Sequence, residues 1–395
     1  MNVTYEAEGK ELKLYLAGHI DSANSHAVEE EINAARAAGS YDKIVIDCEK
    51  LEYISSAGLR IILRLMKNGV SLSVINVSPE VYEIFDMTGF TEMAEIRKAY
   101  RKISIDGCEI IGKGANGKVY RIDRDTIVKV YVNPDSLPEI QRERELARKA
   151  FVEGIPTAIP YDVVRVGDGY GSVFELLNAK SLAQLLENDP SQLDYVLELS
   201  VDLLKKIHST KLKRGDMPDC RAIVLEWVDF LKDYLPQEQY SKLRALVAAV
   251  PEDDHMMHGD YHLKNVMVQD GEALLIDMDT LCLGNPVFEF GSIFNAYAGY
   301  SELDHDNVKR FLGIPYETSL TIWDRTVRMY FDTDNEAFIE SVKNKARIVG
   351  YIRVMRRAIR RGGMDDPEKR AIIEMCRQRF DELLPVTDSL EIRKS

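Results

Sequence analysis

Cysteine is scarce, with five in 395 residues. Cys48, Cys108, Cys220, Cys282 and Cys376 show no C-x-x-C spacing. An odd, scattered set argues against a disulfide framework and against a structural zinc site. Such usage points to a reducing compartment, the cytoplasm. No run of 18 apolar residues occurs, so no membrane span is expected. The opening stretch MNVTYEAEGKELKLYLAG has neither a basic start nor an apolar block, so no signal peptide is expected. Positive charge is also short. There are 51 Lys and Arg against 65 Asp and Glu, a net charge of −14. That balance lacks the basic footprint on which nonspecific nucleic-acid binding depends. Residues 1–102 hold 12 basic and 16 acidic side chains, or −4, which leaves −10 for the rest. An acidic larger portion suits either a cationic small substrate or plain solubility.

What is present is ordinary for a soluble globular protein: 45% hydrophobic and 29% charged residues. The length predicts two or three domains and material for separate cores. In ELKLYLAGHID, Leu12, Leu14 and Leu16 alternate with polar residues, the period of a half-buried strand. HAVEEEINAARAAG reads as a helix closed by Gly39, and DKIVIDC as a strand covered on both faces. SSAGLRIILRLMKNG reads as a helix closed by Gly69, and VSLSVINV as a strand. SPEVYEIFDMTGF opens a further helix, with Ser78 as cap and Pro79 at the first helical position. Alternating strands and helices predict an α/β unit built on a parallel sheet.

Within it, IDCEKLEYISSAGLRIIL resembles the STAS domain of bacterial anti-anti-sigma factors. The resemblance covers residues 1 to about 100. It implies a phosphorylatable serine at a helix start, here Ser56, followed by Gly58 and Leu59, and a protein partner of the anti-sigma type. A helix N-terminus tolerates a phosphate because its free N–H groups and dipole favour negative charge. Ser55 and Ser56 also suit a plain helix cap.

RKAYRKISIDG, around residues 97–107, reads as a joint. Beyond it, IGKGANGKVYRID carries Gly112, Gly114 and Gly117 at G-x-G-x-x-G spacing, with Asn116 inside the loop and Val119 after it. A dinucleotide-binding loop of this spacing opens into a helix. Here a strand-like stretch follows, which favours the kinase form G-x-G-x-x-G-x-V, a hairpin over nucleotide phosphates. Lys129, in the next strand TIVKVYV, would reach the α- and β-phosphates. It also reads as an edge lysine with a solvated head.

The second informative stretch is HGDYHLKNVMVQDGEALLID. His258, Asp260, His262 and Asn265 crowd one loop. A hairpin turning at Asp270 and Gly271 returns the chain to Asp277. Three oxygen-bearing side chains, Asp260, Asn265 and Asp277, are then placed to meet a hard divalent cation and a hydroxyl acceptor. The whole portion from about 103 to 390 resembles the aminoglycoside phosphotransferase and choline kinase family, relatives of protein kinases. The resemblance implies ATP and Mg2+ as cofactors, Asp260 as catalytic base, Asn265 and Asp277 as metal ligands, and Lys129 as phosphate holder. It implies Glu143 as partner of Lys129, with Glu145 second. It further implies an adenine hinge at the backbone of Glu175 and Leu177. GNPVFEFG resembles the family segment that steadies the catalytic loop, with Glu289 where Asp is commoner. His258 and His208 read as structural, and Asp279 as either a metal helper or a backbone acceptor.

The expected fold is an α/β STAS domain, residues 1–100, followed by an α+β two-lobed kinase-like domain, residues 103–395. Its lobes are expected at 103–176 and 177–395. Acceptor specificity is expected near residues 223–235 and around Trp323, Tyr330, Tyr351 and Arg353, unless those aromatics are core. Two functions fit: a kinase for a hydroxyl of a small molecule with a regulatory STAS domain, or a signalling protein that phosphorylates a protein serine, Ser56 or one on a partner.

Overall fold

The computed structural model describes residues 3–67, 69–114, 117–158 and 160–392. The chain divides into two compact units, Met1–Ser104 with Val164–Gly167, and Ile105–Val163 with Asp168–Ser395. Among the described residues, no helix is long and apolar enough to cross a membrane. All five cysteines are free.

The first unit runs β1 (Val3–Glu8), β2 (Glu11–Ile20), α1 (Ser25–Ala37), β3 (Lys43–Ile54), α2 (Ser56–Met66), β4 (Ser71–Val77), α3 (Pro79–Met87) and β5 (Glu95–Lys98). A short strand, β6 (Lys102–Ile103), follows. The sheet order is β1-β2-β3-β4-β5. β1 pairs antiparallel with β2, and the remaining neighbours are parallel. Leu12, Leu14 and Leu16 are buried, as their alternation requires, and Ile44 to Cys48 form a continuously buried run in the central strand. Two elements escape the sequence reading. β1 buries only Val3, so its residues carry almost no hydrophobic period. β5 overlaps the expected joint at Arg97 and Lys98, and its pairing of Glu95 with Ser73 and Ile96 with Val74 makes it part of the sheet.

The second unit opens with β7 (Glu109–Lys113), β8 (Gly117–Arg121), β9 (Thr126–Tyr131), α4 (Leu137–Val152), β10 (Pro160–Val166) and β11 (Gly169–Glu175). Strands stand in the order β10-β11-β9-β8-β7. A mainly helical lobe follows, beginning with β12 (Lys180–Ser181), α5 (Leu182–Asn188), α6 (Leu193–Ser209), α7 (Cys220–Phe230) and α8 (Gln237–Ala248). Next come β13 (Met256–Met257), the hairpin β14 (Val266–Gln269) and β15 (Glu272–Leu275), and β16 (Cys282–Leu283). The helices α9 (Pro286–Tyr297), α10 (Asp306–Leu312), α11 (Tyr316–Phe331), α12 (Glu336–Arg360) and α13 (Pro367–Leu383) complete it.

Three features of this unit position the site. The Asp270–Gly271 turn takes φ of 52° and 84°, the left-handed pair that a two-residue hairpin loop demands. The segment after α4 is locked to β15: Leu275 N donates to Pro156 O at 2.8 Å, and Thr157 Oγ1 to Leu275 O at 2.8 Å. Helix α9 is buried all round from Val287 to Tyr297, and its polar side chains Glu289, Ser292 and Asn295 are each hydrogen-bonded. It crosses α12 at two glycines. A Cβ on Gly291 would lie 2.6 Å from Val349, and one on Gly350 2.6 Å from Phe294.

Candidate active site

Lys129 is the centre of the arrangement. Val119 on β8 pairs with Gly112 on β7 and with Lys129 on β9, so the three stand in one cross-strand row. Residues directly opposite on neighbouring strands share a face. The glycine leaves that face bare, while valine and lysine project from it. Lys129 Nζ lies 2.9 Å from Glu143 Oε1 and 2.8 Å from Asp277 Oδ1. One ammonium thus joins the sheet, helix α4 and the end of the β14–β15 hairpin. Burial opposes its charge, but the carboxylates of Glu143 and Asp277 outweigh that and hold the lysine protonated well above its ordinary range.

Glu143 sits in the buried stripe of α4 with Ile140, Ala147 and Ala150. A carboxylate in an apolar stripe needs partners, and it has two, Lys129 and the hydroxyl of Tyr131. Glu145, the second choice, points elsewhere and pairs with Lys149 at 3.2 Å. Gly117 has its own reason to be glycine: a Cβ there would lie 2.3 Å from the Val130 carbonyl oxygen. Gly114 N donates to Gly117 O at 2.9 Å. Asn116 lies outside the described residues. Glu175 is the last residue of β11, opposite Thr126, and Leu177 follows it at partial burial.

The loop that carries Asp260 is held from three sides. Glu289, fully buried on α9, accepts from His258 N at 2.6 Å and from Gly259 N at 3.0 Å. His208 Nε2 lies 3.6 Å from the same carboxylate. Burial would raise the Glu289 carboxyl, but His208, His258 and the Gly259 amide overcome it and hold the group below its usual range. His258 accepts the Asp260 amide on Nδ1 at 3.2 Å, so its Nε2 carries the proton given to Ile276 O at 3.1 Å. Gly259 takes φ +79°, and a Cβ there would sit 2.5 Å from the Thr280 carbonyl oxygen. The histidines therefore build the loop, as read from sequence.

Asp260 is partly buried. Its Oδ1 accepts from Arg353 Nη2 at 3.0 Å, and His262 Nε2 lies 3.6 Å from Oδ2. Burial opposes the charge, and His262 with Arg353 prevails, keeping the carboxyl far below its ordinary range. Asn265 Nδ2 donates to the Asp260 carbonyl at 3.1 Å, which leaves its Oδ1 as the open acceptor. Ile276 N donates to Asn265 O at 3.0 Å, so the hairpin sets Asp277 next to Asn265. Asp277 takes φ +63°, a left-handed conformation that aspartate tolerates better than most residues. Asp279 is pushed up to about 7 by burial and by the negative charges of Asp277 and Glu143. Carboxylate and amide oxygens in a field this negative suit a hard divalent cation.

Of the residues tied to specificity, Trp323, Tyr330 and Tyr351 are core. The Tyr330 hydroxyl meets His208 Nδ1 at 2.9 Å. Arg353 alone reaches the site. Its clamp on Asp260 was not legible as such, because nothing local in YIRVMRR marks the partner.

In the first unit, Ser55 caps α2, its side chain accepting from Ala57 N at 3.3 Å. Ser56 is the first helical residue and is exposed. A Cβ on Gly58 would lie 2.7 Å from Ile54 and 2.8 Å from Ile20, so that glycine serves packing.

Comparison with known proteins agrees with this division. The model of the phosphotransferase enzyme family matches residues 107–320, and that of the STAS domain matches residues 2–103. A Bordetella bronchiseptica protein named as an anti-sigma factor antagonist, BtrV, is 37% identical over 79 residues, 19% of this chain and 67% of that protein. A thermostable mutant of aminoglycoside phosphotransferase APH(4)-Ia, in its apo form, superposes with a TM-score of 0.51 at 13% identity, over 71% of this chain and 97% of its own. The same enzyme in ternary complex with AMP-PNP and hygromycin B superposes at 0.50 and 13% identity, over 71% of this chain and 94% of its own. At such identity the likeness speaks for the fold.

Proposed function

Because the chain belongs to the phosphotransferase enzyme family and carries a STAS domain ahead of that portion, we propose that it transfers the γ-phosphoryl group of ATP to a hydroxyl of a small molecule, under control of the STAS domain. The observation that carries this reading is Lys129 held at 2.9 Å from Glu143 and 2.8 Å from Asp277. An ammonium fixed by a buried helix carboxylate is what positioning nucleotide phosphates requires. The row of Gly112, Val119 and Lys129 offers a bare patch, an apolar contact and a cation on one face.

Asn265 Oδ1 and the Asp277 carboxylate would hold Mg2+, whose charge would offset the negative charge on the phosphate oxygens during transfer. Asp260 would orient the acceptor hydroxyl. The hydroxyl oxygen forms the new bond to the γ-phosphorus, the bond from that phosphorus to the β–γ bridging oxygen breaks, and the hydroxyl proton passes to Asp260 as ADP departs. A carboxyl held so low is a weak proton acceptor, so its main work is aiming the hydroxyl, with proton uptake late in a loose transition state. Glu175 and Leu177 would offer backbone groups to the adenine.

A second reading keeps the STAS domain as the target. Ser56 is exposed at a helix start, while Ser55 already does the capping. Incubation with γ-labelled ATP, magnesium and a panel of hydroxyl compounds separates the two. Label in small molecules supports the first reading, label on Ser56 or an added protein supports the second, and label in neither sinks both.

A further inference from the structure

Helix α12 carries a row of arginines past Asp260. Arg353 gives Nη2 to Asp260, and Nη1 to the Gly259 carbonyl at 2.9 Å and Ser292 Oγ at 3.0 Å. Arg356 and Arg357 follow at i+3 and i+4, beside Arg353 on the same helical face and roughly 5–6 Å along it. The Arg356 guanidinium lies over the Trp227 ring at 5.4 Å and the Phe230 ring at 5.8 Å, both on α7. Arg357 lies over the Tyr300 ring at 4.6 Å. Aromatic faces steady the guanidinium planes and leave their N–H edges open.

The charges of this row are not cancelled. Asp260 answers Arg353. Among the described residues, Arg356 and Arg357 have no carboxylate within ion-pair distance and no hydrogen-bond acceptor. Glu226 on α7 acts on Arg356 from farther away, while Arg353 and Arg360 repel it. A helix C-terminus favours cations in its last turn, which accounts for the placement of Arg357 and Arg360. It does not account for Arg353 and Arg356, which lie before that turn, nor for guanidiniums laid on rings. The net charge of −14 does not decide the matter, because exposed charges act over about 8 Å at physiological salt.

We propose that Arg356 and Arg357 bind an anionic group of the phosphate acceptor, so that the acceptor is a small hydroxylated anion bearing a phosphate or a carboxylate. The inference rests on the reading of Asp260 as the group that takes the acceptor hydroxyl. Arg353 sets this face of α12 beside Asp260, within reach of the rest of a small molecule whose hydroxyl meets that carboxylate. Guanidinium edges match carboxylate and phosphate oxygens in pairs. A polycationic acceptor would meet three arginines there.

The test uses the full chain with ATP and magnesium and follows ADP release. Acceptors come in matched pairs: glycerol against glycerol 3-phosphate, glucose against glucose 6-phosphate, and ethylene glycol against glycolate. Choline and kanamycin represent cations. The expected result is a preference for the anionic member of a pair by about ten-fold or more, the worth of one charged hydrogen bond. Added salt should erode it. Whether the phosphate or the carboxylate pairs show it identifies the group. Replacing both Arg356→Ala and Arg357→Ala should abolish the preference through KM more than kcat, and the double lysine replacement should restore part of it. Equal rates within every pair, faster turnover of the cations, or a preference that survives the alanine replacements overturns the inference. If no compound is turned over, the same pairs are compared by melting shift with a non-hydrolysable ATP analogue and magnesium. An anion-specific shift lost in the alanine variant supports the inference, and equal shifts overturn it. Melting with nucleotide and magnesium alone reads the kinase assignment separately. No shift there defeats that assignment, whereas a shift without anion preference defeats only this inference.

Discussion

Arg353 and Asp260 meet at 3.0 Å, joining the longest helix of the second unit to the loop that holds the candidate base. The pair fixes the carboxylate from the side, while Asn265 takes the carbonyl of the same residue. Asp260→Asn preserves the shape and removes the charge. Turnover should fall by roughly 10²–10⁴-fold, the usual worth of a general base. Nucleotide affinity should change little. Near-normal turnover on the true acceptor would show that the chemistry lies elsewhere.

Nucleotide binding is read by melting. A ligand bound only by the native chain stabilises it by about 2.7 kcal/mol at a hundred-fold excess over Kd. ATP with magnesium should therefore raise Tm clearly at millimolar concentration. In Asp277→Ala the part of the shift that depends on magnesium should vanish, with a smaller magnesium-independent part remaining through Lys129. An identical magnesium response in the variant removes Asp277 from the metal site.

Glu289 gives a pH test. Its carboxyl is held below the usual range in the folded chain. A depressed folded pKa contributes stability above the unfolded value, about 4.3, and that contribution fades as pH falls through the lower folded value. Glu289→Gln should cost about 1–3 kcal/mol near neutrality, since a buried charge-assisted acceptor of two amides is lost. The gap between the two proteins should close as pH drops below about 4. A gap that stays constant with pH would mean that the carboxylate charge is not what holds the loop.

Ser56 tests the first unit. Ser55, not Ser56, satisfies the helix start, so Ser56→Ala should leave thermal stability nearly unchanged. A phosphate on Ser56 should alter capture of an anti-sigma-type partner without unfolding the domain, with Ser56→Asp as a partial mimic. Equal capture by wild type, Ser56→Ala and Ser56→Asp would leave the first unit as a constitutive binding module.

Much of this site could be read before any coordinates. Lys129, Asp260, Asn265 and Asp277 occupy short motifs whose spacing carries their geometry, because a two-residue hairpin leaves little freedom between Asn265 and Asp277. Glu143 stands eleven residues before Gly154, and its buried stripe with Ile140 and Ala147 gives an independent signal. The role of Glu289 followed from its motif. Arg353 did not, since it meets Asp260 through a helix crossing set by Gly291 and Gly350, and no local pattern encodes a contact between distant segments. The aromatics Trp323, Tyr330 and Tyr351 had the helical spacing of core residues and proved to be core. β1 leaves no mark in the sequence, because a strand with one buried side chain has no hydrophobic period.

The crossing of α9 and α12 has a consequence for the order in which the protein is made. Arg353 lies 94 residues after Gly259, whose carbonyl it also holds. At about 5–20 residues per second, a ribosome delivers the loop of Asp260 roughly 5–20 s before the arginine that secures it. During that interval α9 lacks the partner against which Gly291 packs. A nascent chain in which Lys129, Asn265 and Asp277 are already made therefore still lacks the arginine that fixes Asp260, so the proposed base is set only by the last-made third of the molecule.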